Sequence, residues 1–111
     1  KKDVQFIEKI HQVIEENLDN SDFNIDTIAS TIGLSRSAFF KKLKSLTGFA
    51  PVDLVKEIRL NKSIELIKNS DMSISEIAFA VGFKDSGYFS KCFRKKYDQT
   101  PREYMNEWRK G

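Results

Sequence analysis

The residues that carry most enzyme chemistry are nearly missing from this chain. His11 is the only histidine and Cys92 the only cysteine among 111 residues. With one of each, neither a His-based triad nor a His/Cys metal cluster can be assembled. No catalytic residue, no metal and no cofactor are therefore expected. Cys92 sits beside Phe93 and reads as a packing residue. It has no partner for an internal disulfide, which suits a reducing cytosol. What the sequence does concentrate is positive charge. Residues 1–33 hold three Lys against seven acids, whereas residues 34–48 hold Arg36, Lys41, Lys42 and Lys44 with no acid. Residues 49–82 are close to neutral. Residues 83–97 again turn basic, with Lys84, Lys91, Arg94, Lys95 and Lys96 against Asp85 alone. Clustered Lys and Arg with interleaved Ser can meet phosphates and base edges.

These two packets mark an internal repeat. Ile25, Ile28, Ala29, Ile32 and Gly33 recur as Ile74, Ile77, Ala78, Val81 and Gly82, 49 positions on. Past the glycine the offset becomes 50, and Phe39, Lys41, Leu43 and Pro51 recur as Phe89, Lys91, Phe93 and Pro101. The second copy has a turn one residue longer.

Each copy reads as helix, short turn, helix. Ser73 with Glu76 forms a capping box, and Ile74, Ile77, Ala78 and Val81 make one apolar face. Gly82 accepts the left-handed backbone that ends such a helix. Asp85 or Ser86 caps the next, which buries Phe89 and Phe93. In the first copy Asn24 caps, Ile28 and Ile32 face inward, Gly33 turns, Ser35 caps, and Phe39 and Leu43 face inward. Ala29 and Ala78 are the small residues that let two steeply crossing helices approach. This is the helix-turn-helix pattern, present twice.

Three more helices follow from the same periodicity. Residues 3–18 carry Val4, Ile7, Ile10, Ile14 and Leu18 at helical spacing, with acids on the face turned away from any polyanion. Residues 51–69 open with Pro51 in a first-turn position and point Leu54, Ile58, Ile64 and Ile67 inward. Residues 101–109 open on a second capping box, Thr100 with Glu103, and carry Tyr104 and Trp108 as core residues. The expected fold is all-α, with seven helices. The expected organisation is a first subdomain over 4–50, a linker helix over 51–69 and a second subdomain over 70–109.

A helix-turn-helix unit places its second helix in the major groove, about 12 Å wide. The exposed face of the second copy offers Ser86, Gly87, Ser90, Lys91 and Arg94; that of the first offers Arg36, Ser37, Phe40, Lys41 and Lys44. Two units reading one face of a duplex need their helices roughly 34 Å apart. A helix of about 18 residues spans about 27 Å, long enough to act as a rigid spacer.

With those residues in place, the chain resembles the DNA-binding domain of the AraC/XylS family of bacterial transcription regulators. The resemblance is carried by "SISEIAFAVGFKDSGYFSKCFRKKYDQTPREY" and by "IASTIGLSRSAFFKKLKSLTGFAPVDLVKEIRL", and runs over residues 18 to 105. The run "SRSAFFKKLKSLTG" is most similar to members that end hybrid two-component sensor proteins. The resemblance implies a sequence-specific regulator, an activator that touches RNA polymerase, bound to double-stranded promoter DNA. It places base contacts on Ser37, Phe40 and Lys41 and on Ser86, Gly87, Ser90 and Lys91. Arg36, Lys44, Lys84 and Arg94 are expected to meet phosphates. Phe40 stands where a polar reader is common, so thymine methyls are its expected targets. Gly87 has no side chain to read with, and Asp98 stands where many members end the helix with Gly.

Composition sets the remaining bounds. The chain is 40% hydrophobic and 32% charged, with net charge +3, values of a globular protein and not of a disordered tail. No apolar run approaches the roughly 20 residues of a membrane span, and "KKDVQFIEKI" mixes acids and bases unlike a signal peptide. A cytoplasmic location without membrane contact is expected; two reading heads in one chain leave dimerisation open, and a homodimer would form through segments outside this sequence. The competing reading is a helical protein–protein module whose basic faces meet an acidic partner. Lys95 and Lys96 are read as solvated residues that favour the helix C-terminus.

Overall fold

Ser73 Oγ accepts the Glu76 backbone N–H, while the Glu76 carboxylate accepts that of Ser73, at 3.1 and 2.8 Å. Thr100 and Glu103 make the same reciprocal pair at the same distances. Such local signals set the element boundaries. The computed structural model describes residues 1–110. It has α1 (Lys2–Glu16), α2 (Ile25–Ile32), α3 (Arg36–Thr47), α4 (Pro51–Asn69), α5 (Ile74–Ala80), α6 (Ser86–Tyr97) and α7 (Pro101–Lys110). The described residues are all-α, with seven helices and no strand.

The chain divides into two units. Residues 1–18 and 22–58 form the first; residues 19–21 and everything from Arg59 on form the second. The α4 helix is therefore shared. Leu54 and Ile58 are buried within its first part, and Leu60, Ser63 and Ile67 within its second. Ile64, expected inward, is only half-buried. Ser63 is satisfied by donating to the Leu60 carbonyl at 2.6 Å.

The first core is Phe6, Ile10, Val13 and Ile14 of α1 against Ile28, Ala29, Phe39 and Leu43. Phe6 meets Phe39 edge-on at 6.4 Å. This corrects the stripe read from the sequence. Val4 is 60% exposed and Ile7 half-buried, because α1 turns Phe6 and Val13 toward the core instead. The helix ends at Glu16, and Leu18 is buried beyond it.

The second core is a run of rings. Phe83, Phe89 and Phe93 follow one another at 5.2 and 5.8 Å, and Phe93 also meets Tyr97 at 4.6 Å and Tyr104 at 5.8 Å. Trp108 departs from the expected core position. It is 51% exposed, with Lys68 Nζ lying 4.5 Å above its ring, a contact that needs no burial.

Backbone hydrogen bonds from Ser73 and Thr100 hold the Glu76 and Glu103 carboxyls below the usual carboxylate range. A lowered folded-state pKa stabilises the fold above the ordinary value, about 4.3, and this contribution fades as pH falls through the lowered value. The Glu76→Gln, Glu103→Gln double variant keeps both boxes, since Gln also caps. Its thermal stability is expected to fall less steeply than the wild type's below about pH 4.3. Equal acid slopes would exclude these two carboxyls as its source.

Asp98, which closes α6, has φ 61° and is the one non-glycine residue with positive φ among those described. Its counterpart at α3 is Gly48, φ 80°. Asp98→Gly relieves that conformation, and a gain of about 0.5–1 kcal/mol is expected in urea unfolding.

Candidate nucleic-acid interface

The two helix–turn–helix segments are built by matching bonds. In α2 the Leu34 N–H reaches back to the Ala29 carbonyl, and in α5 the Phe83 N–H reaches Ala78, both at 2.9 Å. This six-residue closure requires a left-handed residue inside it. Gly33, φ 86°, and Gly82, φ 96°, fill that role. Ala29 and Ala78 are buried, as the close crossing of each helix pair demands. Ser35 then caps α3 by accepting the Ala38 N–H at 3.1 Å, and Asp85 caps α6 by accepting the Gly87 N–H at 2.8 Å.

With Phe39 and Leu43 buried, α3 leaves Arg36, Ser37, Phe40, Lys41 and Lys44 exposed; Phe40 is 47% exposed. These five expected residues share one solvent-facing side. Arg36 is held 3.5 Å from Asp26 of α2, so any phosphate contact by it competes with that ion pair. Lys42 differs from its neighbours, because its Nζ sits 4.3 Å above the Phe6 ring.

On α6, Phe89, Cys92 and Phe93 are buried. Gly87, Lys91 and Arg94 are exposed, Ser86 and Ser90 half-buried, and Lys84 is exposed in the turn before the helix. Arg94, Lys95 and Lys96 form the basic last turn. Lys95 is exposed, while Lys96 is half-buried with Nζ 5.3 Å from the Tyr97 ring.

Two residues of this region were not picked out from the sequence. Tyr88 is 49% exposed on α6, leaning on Phe83 at 6.0 Å. Its aromatic type was the available signal. The other is Arg59 of α4. Its Nη1 donates to the Gly82 carbonyl at 2.6 Å and its Nη2 to the Asn20 carbonyl at 3.3 Å. Burial lowers the guanidinium's pKa from its ordinary value. Its buried Nε has no hydrogen-bond partner among the described residues. Arg59 thus ties the turn of the second unit to the 19–21 segment. No local pattern announces a bond made across 23 residues.

A family profile described as a helix-turn-helix domain matches residues 28–107, from within α2 to within α7. The chain belongs to this family, the AraC type. It is an AraC-type DNA-binding domain of a transcription regulator, and the family is not an enzymatic one. It is 38% identical over 106 residues to a protein named Histidine kinase P4 from Formosa agariphila. The match covers 96% of this chain and 8% of that relative's length. Among solved structures it resembles the C-terminal domain of the two-component response regulator yesN from Fusobacterium nucleatum. Identity is 30%, TM-score 0.83, and coverage 91% of this chain and 98% of that one. It also resembles the DNA-binding domain of AdpA, solved in complex with a target DNA. Identity is 28%, TM-score 0.85, and coverage 94% and 92%. Among AraC-type domains, then, this one has kin in two-component response regulators. No helix among the described residues is long and apolar enough to cross a membrane.

Proposed function

We propose that this AraC-type domain recognises a specific promoter duplex by laying α3 and α6 into successive major grooves. One observation carries the reading. A side-chain cap, a glycine turn and an exposed basic face occur twice, at the second helix of each pair, in a chain similar to one solved on its target DNA. The α4 helix runs 19 residues, about 28 Å, and links the two helix pairs in the chain. Ser37, Phe40 and Lys41 read bases from α3, and Ser86, Ser90 and Lys91 from α6. Arg36, Lys44, Lys84 and Arg94 fix the register on phosphates. The likeness to the kinase and response-regulator relatives supports a role as the output segment of a longer signalling protein; activation of transcription through RNA polymerase, in the cytoplasm, is part of the same proposal.

Binding to duplexes from the host's own promoters tests this, measured against random duplexes over a salt series. A promoter duplex should be preferred, with log K falling steeply against log salt. An acidic-partner module would show no such preference. Lys91→Ala should weaken the preferred duplex about tenfold while leaving random DNA nearly unchanged. An equal loss on both would make Lys91 a phosphate contact.

A further inference from the structure

Gly87 poses a difficulty for the second unit, since its counterpart Ser37 presents a hydroxyl and Gly87 presents nothing. The structure fills that gap with another residue. A Cβ built on Gly87 would lie 3.3 Å from Asp85 Oδ1, 3.8 Å from Oδ2 and 3.9 Å from Cγ. The Asp85 carboxylate therefore occupies the space beside the bare backbone at the tip of α6. Its Oδ1 accepts the Gly87 N–H at 2.8 Å, which fixes its orientation. The residue is exposed, so its other carboxylate oxygen faces solvent-accessible space. The cap alone does not require a charge, because Ser35 performs the same task at α3 with a hydroxyl. Asp85 is also the only acid among residues 83–97, where every other charged group is Lys or Arg.

We infer that Asp85, and not residue 87, reads the base pair at the tip of α6, and that it selects a base offering an exocyclic amino group in the major groove. The inference rests on the DNA-reading proposal above. The N-terminal end of a recognition helix is the end that meets base edges. An ionised carboxylate only accepts hydrogen bonds. Cytosine N4 is its natural partner, and adenine N6 shares that chemistry. Guanine O6 and N7 and thymine O4 are acceptors, so they would leave a desolvated carboxylate unpaired. Discrimination thus comes as much from what Asp85 rejects as from what it binds.

The test is selection of bound sequences from duplexes randomised over about two turns, about 21 base pairs. The wild type is compared with Asp85→Ser and Asp85→Asn. Both replacements are good N-caps, and thermal unfolding checks that the fold is kept. The wild type should require one particular base pair at the position Asp85 faces. Asp85→Ser should lose about tenfold discrimination there and nowhere else. Asp85→Asn, which can pair with adenine N6 and N7, should move that position toward adenine. A selected sequence that is identical for all three proteins overturns the role of Asp85. Failure of the wild type to select any sequence overturns the DNA-reading proposal and this one with it.

Discussion

Phe93→Ala is expected to destabilise the second unit by about 3–5 kcal/mol, the range for removing a fully buried aromatic side chain. Phe93 has no exposed surface, and its ring touches those of Phe89, Tyr97 and Tyr104. These partners are anchored on two helices, so a cavity left at the centre cannot close by one side chain moving. Domains of this size hold only about 5–15 kcal/mol in total, so the loss falls on a small margin. Urea unfolding should show it as an early transition, and specific DNA affinity should fall with the folded fraction. A cost below about 1 kcal/mol would mean that the rings repack around the gap. Trp108→Ala serves as the contrast, since half of that side chain is already in water.

Arg59→Ala is expected to cost about 2–3 kcal/mol through lost charge-assisted hydrogen bonds and an unsatisfied carbonyl. Gly82 is buried, so its carbonyl cannot simply turn to water when the guanidinium is removed. Arg59→Lys should recover part of the loss, since an ammonium can replace one of the two bonds but not the planar fork. The diagnostic readout is hydrogen exchange at Gly82 and Phe83, whose N–H groups close the turn. Faster exchange there, with α7 unaffected, would place the effect at the turn. Uniform acceleration across the second unit would instead make Arg59 a general stabiliser.

Ser73 with Glu76, Thr100 with Glu103, and Gly33 and Gly82 were legible in the sequence because each acts within a few residues of itself. The exposed sides of α3 and α6 followed from their buried partners, Phe39 with Leu43 and Phe89 with Phe93. The inner face of α1 was not legible. Its apolar residues support two overlapping stripes, and the choice between them depends on Phe39, which lies more than 30 positions away. Trp108 was misplaced because hydrophobic size alone does not reveal that Lys68 covers the ring. Arg59 was missed because both its acceptors are backbone carbonyls, which look alike at every position in a sequence.

The change of repeat offset from 49 to 50 has a use beyond its diagnosis of duplication. The added residue lies between the glycine that ends the first helix and the residue that caps the second. Ala29 with Leu34 and Ala78 with Phe83 set one side of that boundary, and Ser35 and Asp85 set the other. Both helices beyond it run 12 residues and end on a left-handed residue. The α3 and α6 segments are thus alike in length and in both ends. Moving Ser35–Gly48 into the place of Asp85–Asp98 would exchange one exposed helix face for the other without redrawing the frame that holds it.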